Sequence, residues 1–423
     1  MKDKDLKVTS FNTIMLGILT IAKMLFPLIT LPYLTRVLSV ETYGLVSYVK
    51  AVMAYVQIVI DFGFIYSSVK DIVLHRNDPD EINKILSNTI MAKILLAASA
   101  TLVVVIMCLF VPTLSGNILY TLFCLLTPIL SCFLVDFFFR GIEKMHYIAI
   151  VFVAMKIIST VLTMVFVNND GDILLIPLFD VLSSFVAIAI SWFIVIKMKY
   201  RIVAPNFKQS LLEIKKSFSF FINSVASTAF GAFITIMIGF FIPDLKEVAF
   251  WSVSIQLVGA VQSLYTPFSN GIYPYMIKKK NFNLITLVLT IFTPIVIAGC
   301  FLCYFLAPWI LRVMSGEEYV ESAYLFRLLV PVLFLSFPVA ILGWPVFGPI
   351  DKQKEMTLTT VIGALVQISI IIVLIVINKF TLVSIAISRI ISELSMLIAR
   401  IVYSYRFRNL FIHEKIIRVK EKE

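Results

Sequence analysis

The sequence predicts an all-α polytopic membrane protein of about twelve transmembrane helices. Three observations carry that prediction. Sixty per cent of the 423 residues are hydrophobic and only 14% charged, more apolar sequence than a soluble core needs. Apolar runs of roughly 20 residues, long enough to cross a bilayer as helices, recur along the whole chain. The Lys and Arg residues between those runs fall overwhelmingly on alternate loops. A membrane β-barrel would instead need short segments of alternating hydrophobicity, which are absent.

In order, the spans are expected at 11–35, 43–69, 85–111, 116–139, 147–168, 172–196, 217–242, 247–276, 282–307, 322–347, 356–378 and 381–404. The first run is too long for a signal peptide, contains Pro32 and lacks a small-residue cleavage site, so it counts as a span. Each later run is set off by a polar or Gly/Pro-bearing connection. With these limits, 25 Lys and Arg lie on one side of the membrane and four (Arg36, Lys246, Arg312, Lys379) on the other. The positive-inside rule places both termini in the cytoplasm, and an even number of spans agrees. The net charge of +11 is then explained by cytoplasmic loops facing anionic lipid rather than by nucleic-acid binding.

No soluble domain interrupts the spans. The longest cytoplasmic connection, 197–216, follows the sixth span at the midpoint of the chain. The expected organisation is an N-terminal six-helix lobe (1–200), a cytoplasmic linker (201–215), a C-terminal six-helix lobe (216–404) and a basic cytoplasmic tail (405–423). Weak internal similarity supports duplication: "FNTIMLGI" (11–18) with "FFINSVAS" (220–227), and "ETYGLVSYVKAV" (41–52) with "EVAFWSVSIQLV" (247–258). Six spans per half make the repeats parallel, an arrangement transporters use to hold a central site.

Seven basic residues remain inside spans: Lys23, Lys50, Lys93, Lys156, Arg327, Arg389 and Arg400. Lys23, Lys93 and Lys156 lie roughly 14–18 Å from the cytoplasmic ends of their helices, and Arg389 comes to about the same level. A charge at that depth costs at least ~2.5–3.5 kcal/mol unless it meets water or an acid. Lys50, Arg327 and Arg400, nearer helix ends, can snorkel. Arg389 and Glu393, four apart, can pair within one helix. The three mid-depth lysines have only Asp180 at their level, and Asp61 and Asp136 are expected to pair near the helix ends with Lys70 and Arg140. Lys23, Lys93 and Lys156, with Lys50 and Arg389, are therefore the candidates for a cationic cavity that receives an anionic solute. Asp180 and Glu393 are candidates either for carrying a coupling ion (H+ or Na+) or for countering the cations. Pro27, Pro32, Pro267 and Pro274 are candidate gating or hinge positions, because proline removes a helix hydrogen bond.

Catalytic patterns are lacking in the sequence. There is no phosphate-binding Gly-rich loop and no zinc motif, and the three histidines lie in cytoplasmic loops or the tail. The five cysteines fall within apolar spans, where packing accounts for them, the closely spaced Cys300 and Cys303 included. Neither an enzymatic activity nor a cofactor or metal is expected.

Four segments carry a family resemblance: "PLITLPYLTRVLSVETYG" (27–44), "IDFGFIYSSVKDI" (60–72), "FFFRGIEKMHYIAI" (137–150) and "SGEEYVESAYLFRLLVP" (315–331). They resemble the Wzx-like polysaccharide flippases of the multidrug/oligosaccharidyl-lipid/polysaccharide exporter superfamily. The resemblance implies two six-helix lobes around a central cavity, in a bacterial inner membrane protein. It also implies a substrate, an undecaprenyl-pyrophosphate-linked oligosaccharide repeat unit of O-antigen or capsule, moved from inner to outer leaflet by alternating access. A polysaccharide polymerase and chain-length proteins are the implied protein partners, besides membrane lipids. Ser39, Lys70, Phe137 and Arg140 depart from the usual family residues, whereas Lys93 and Lys156 fall where members commonly carry a basic residue. Two alternatives remain at this point. One is an ion-coupled multidrug exporter of the same superfamily, against which the surplus of mid-depth lysines argues. The other is a polymerase or ligase of the same pathway, which would carry a large outward loop.

Overall fold

The computed structural model describes residues 2–411 except 229 and 243, and the side chains from Phe11 onward except those of 13, 223 and 227. The basic tail beyond Phe411 therefore lies outside the described residues. Among these residues the regular structure is entirely helical, and eleven helical segments are long and apolar enough to cross a membrane.

By its contacts the chain divides into two units, 1–228 with 235–249, and 229–234 with 250–423. The first unit is built from α1 (Lys2–Val37), α2 (Val40–Asp61), α3 (Phe64–Leu74), α4 (Pro79–Phe110), α5 (Pro112–Ser115), α6 (Ile118–Leu130), α7 (Asp136–Gly141), α8 (Met145–Phe166), α9 (Leu175–Lys197) and α10 (Phe207–Thr228). Here α8 packs on α1 and α9, and α2 packs on α4 and α6. A core of Ile72, Leu86, Phe137, Phe138 and Phe139 closes the end where α3, α4 and α7 meet. Start signals are local: Ser39 Oγ accepts from the Thr42 amide to open α2, and Asp78 accepts from the amides of Asp80 and Glu81 ahead of α4. Such caps satisfy helix-terminal N–H groups that have no partner within the helix.

The second predicted span is two helices. Phe62 and Gly63 both adopt left-handed backbone, at φ 42° and 83°, which ends α2 and starts α3 inside the "IDFGF" segment. Gly63 is needed there twice over: its φ disfavours a side chain, and a Cβ would sit 2.4 Å from Cβ of Phe220 on α10. Gly63→Ala should therefore destabilise the first unit by more than about 1–3 kcal/mol, read as a lowered thermal midpoint of the detergent-solubilised protein.

Residues 201–206 of the predicted linker form no regular structure, but α10 already begins at Phe207. That irregular part is held by a polar row on α4. Asn83, Ser87 and Asn88 accept hydrogen bonds from the amides of Arg201, Val203 and Asn206, at 2.9, 2.9 and 2.8 Å. The first turns of α10 carry Lys216, which contacts Asp71 of α3 and Glu213, each at 2.9 Å. Burial raises the Glu213 carboxyl above the usual range against the opposing pull of Lys216. Ser217 meets Ser67 at 2.6 Å. These polar contacts, together with the stacking of Phe62 on Phe221, explain why α10 belongs to the first unit.

The predicted seventh span, 217–242, is likewise interrupted, by the turn between α10 and α11 (Ala232–Phe241). The eighth is broken between α12 (Leu245–Ser263) and α13 (Thr266–Lys279). Pro267 stands in the first turn of α13, where its missing N–H is not needed, so it marks the restart of a helix. The second unit continues with α14 (Phe282–Phe305), α15 (Ala307–Ser315), α16 (Ala323–Ile341), α17 (Trp344–Phe347), α18 (Gln353–Val376) and α19 (Leu382–Arg406). There α19 packs on both α16 and α18. Large apolar side chains such as Phe110, Phe193, Phe305 and Val376 are exposed. That is the pattern of helices solvated by hydrocarbon rather than water.

Candidate functional site

The intramembrane charges of the first unit form two groups along one helix face. On α2, Lys50, Gln57 and Asp61 are spaced seven and four residues apart, which places them on a common stripe about 16 Å long.

At one end of that stripe a cavity of about 220 Å³ opens between α2, α6 and α9, with Lys50, Gln57, Tyr120, Cys124 and Asp180 among its lining residues. Asp180 Oδ1 accepts from Ser159 at 2.6 Å and lies 3.5 Å from Lys156 Nζ. Lys50 feels both Asp180 and Lys156 but has no acid within 4 Å among the described residues. Two of the predicted cations and the predicted acid thus come together around one cavity.

At the other end, Lys93 is buried and its Nζ lies 3.1 Å from Asp61 Oδ1. Gln57 donates to Asp61 Oδ2 at 2.8 Å and to Ser131 at 2.9 Å, which links the two groups. The expectation that Lys93 lacks an acid at its level is corrected here. Asp61 reaches Lys93 rather than Lys70, because α2 ends at the Phe62–Gly63 turn and presents its last side chain to α4. Lys23 is exposed, with Nζ 5.4 Å from the Phe152 ring centre, and has no acid within 4 Å among the described residues. The charges of Lys93, Asp61, Lys23 and Arg140 all act on Asp136. The expected Asp136–Arg140 pair is not formed within 4 Å among the described residues.

The remaining candidates lie elsewhere. In the second unit Arg389 and Glu393 form the expected intrahelical pair at 2.6 Å, both buried. Glu393 also accepts from Ser336 at 2.9 Å, and the Arg389 guanidinium lies 4.7 Å from the Phe230 ring. Arg400, rather than snorkelling, is buried, bonded to the Val339 carbonyl and to Thr359 and Thr360. Pro27 and Pro32 lie inside an unbroken α1 and Pro274 inside α13. Pro27 cannot donate to the carbonyl of Lys23 four residues earlier, a local weak point beside that cation.

Sequence reasoning missed Gln57, Ser159 and the role of Asp61. The spacing 50/57/61 was the available signal for the first and third. Ser159 has a signal only through its distance of three residues from Lys156 on α8.

The model of the polysaccharide biosynthesis protein family matches residues 11–280. A Shigella dysenteriae protein described as "Putative O-antigen transporter" is 26% identical over 367 residues, covering 84% of this chain and 90% of that protein. One of the same description from Escherichia coli strain K12 is 24% identical over 388 residues, covering 84% and 88%. Among solved structures, the lipid II flippase MurJ in an inward closed conformation aligns with TM-score 0.66 at 15% identity, over 93% of this chain and 87% of that one. An inward-facing multidrug resistance MATE family transporter of the MOP superfamily aligns with TM-score 0.65 at 13% identity, over 93% and 95%. Both support the helical transporter fold.

Proposed function

The chain belongs to the polysaccharide biosynthesis protein family, and from that premise we propose that it is a flippase for undecaprenyl-pyrophosphate-linked oligosaccharide repeat units. It would act in the bacterial inner membrane with both termini in the cytoplasm, passing the headgroup to the outer leaflet by alternating access.

The observation that carries this reading is the charge of the first unit. Lys23, Lys50, Lys93 and Lys156 face only two paired aspartates, Asp61 and Asp180. Two positive charges are left over, and counting Asp136 and Arg140 as well does not change that surplus. A pyrophosphate diester carries two negative charges, so its entry would neutralise the group. Neutralisation matters where each uncompensated charge is costly. A cationic drug would instead raise the imbalance, which disfavours the multidrug alternative. The lysines supply compact ammonium groups for the phosphates, and the polyprenyl chain would remain in lipid. Binding of the diphosphate more tightly in one conformation than in the other would bias the exchange between them. Asp180 and Glu393 each sit against a cation, which favours a counter-charge role over carriage of a coupling H+ or Na+. Arg389, tied to Glu393, is the least available of the five proposed ligands.

Complementation tests the proposal. In a flippase-null strain carrying the glycan of the source organism, the chain should restore surface polysaccharide and clear the accumulated lipid-linked repeat unit. Normal membrane levels without restored export would overturn it.

A further inference from the structure

The two charge groups of the first unit are too far apart to hold one diphosphate together. Lys50 and Asp61 stand roughly 16 Å apart along α2. Helical side chains lean toward the helix N-terminus, which carries Lys50 away from Asp61. Lys156 stays with the Lys50 group, 3.5 Å from Asp180, and Lys93 with the other, 3.1 Å from Asp61. The electrostatics divide in the same way: Asp136 is acted on by Lys93, Asp61, Lys23 and Arg140, and Lys50 by Asp180, Lys156 and Cys124. A diphosphate joins its phosphorus atoms through one bridging oxygen, so the ion is only a few ångströms long and reaches one group at a time.

The groups are built alike. Each contains one lysine held by an aspartate and one exposed lysine with no acid within 4 Å among the described residues, Lys23 in the first and Lys50 in the second. Around Asp61, the cations Lys23, Lys93 and Arg140 face Asp61 and Asp136. Around Asp180, Lys50 and Lys156 face that acid alone. Each group therefore carries one positive charge in excess, half the surplus of the unit. A dianion more than compensates either group, so neither is a deep trap. Passage across a membrane requires sites that bind strongly enough to admit an ion and weakly enough to release it. Gln57 stands between the groups: it lines the cavity beside Lys50 and donates to Asp61, an uncharged polar step on the same stripe.

We propose that the two groups are stations that one diphosphate occupies in turn, with Lys23 and Lys50 as the available cation of each. With both termini in the cytoplasm, α2 descends toward the cytoplasm, so the Asp61 station is met first and the Asp180 station second. This inference rests on the proposed flippase function and adds the order in which its lysines act.

The test compares Lys23→Gln, Lys50→Gln and the double variant. Each removes an exposed cation, and neither strands an acid. Binding of undecaprenyl diphosphate is measured on the full-length protein in nanodiscs. Export is measured as surface polysaccharide in the complemented null strain, per molecule of protein in the membrane. Mutually exclusive stations add their affinities, so removing the weaker one leaves at least half of the total. At least one single variant should therefore bind within about twofold of the unsubstituted protein, whereas the double variant should lose about tenfold or more. Transfer needs both stations in series, so each single variant should export about tenfold less or worse. Binding weakened about tenfold in both single variants would reveal one shared site and overturn the stations. Normal export by either single variant would remove its lysine from the path, and undiminished binding by the double variant would place the diphosphate elsewhere; each overturns the proposal. Failure of the unsubstituted protein to bind the probe would instead refute the flippase reading, and the stations with it.

Discussion

Lys93→Gln is expected to lower surface polysaccharide in the complemented null strain by roughly 10- to 100-fold, the range a lost charge-assisted phosphate contact implies. The protein should still reach the membrane at normal levels. Folding survives because the partner left behind is not trapped: the Asp61 side chain is 50% exposed, against 7% for Lys93. An aspartate in contact with water is not a stranded buried charge when its partner is lost. The double variant Lys93→Gln with Asp61→Asn then separates two roles. If Lys93 exists only to neutralise Asp61, removing both charges restores export. If its ammonium receives the diphosphate, the double variant stays defective. The second outcome is expected; Asp61→Asn alone strands the buried Lys93 ammonium, so its export is read per molecule of protein in the membrane. Quantifying capsule or O-antigen on the cell surface beside immunoblots of the membrane fraction decides between them.

The architecture was legible in the sequence wherever hydrophobic length alone decides it. Runs such as 85–111 and 147–168 read as spans and became α4 and α8 with small shifts at their ends. The breaks were not legible, because each depends on a neighbour. Gly63 announces a permissive backbone in "IDFGF", but only the approach of Phe220 on α10 shows why a side chain is excluded there. The irregular stretch before α10 is fixed by Asn83, Ser87 and Asn88, more than a hundred residues earlier in the chain. For the charges, depth counting put Asp180 at the level of Lys23, Lys93 and Lys156 without choosing among them, and spacing within one helix put Arg389 beside Glu393. It failed for Lys93 and Asp61 because the Phe62–Gly63 turn ends α2 at Asp61, whose side chain then meets Lys93 on α4 instead of Lys70. Tyr120 and Thr127, among the residues that line the cavity, had no signal at all. In a span of apolar and small polar residues, nothing in one sequence distinguishes a hydroxyl that packs from one that lines a cavity.

Glu393→Gln should give the largest loss of stability of any single substitution considered for this chain, about 3–5 kcal/mol, the cost of stranding one partner of a buried ion pair. Neither Arg389 nor Glu393 can turn to solvent, with side chains 6% and 3% exposed. Phe230 covers the guanidinium at 4.7 Å, and the Arg389 Nε already lacks a hydrogen-bond partner among the described residues. A neutral amide at 393 would leave Arg389 as an uncompensated cation between α16, α18 and α19. The expected result is a markedly lower thermal midpoint in detergent and a reduced amount of protein in the membrane, with export falling in proportion to that amount. Replacing both partners, Arg389→Met with Glu393→Leu, should recover most of the stability, because well-packed apolar side chains of similar volume usually replace a buried pair without loss. Ser336 retains its bond to the Val332 carbonyl in that variant, so no further polar group is stranded. Export per molecule then assigns the role of Arg389. If the stable double variant exports normally, the pair is a structural fastening of α19, and the substrate's charge is met by the lysines of the first unit. If the protein is stable but silent, Arg389 is itself a ligand for the diphosphate, and its contact with Glu393 is the one the substrate displaces.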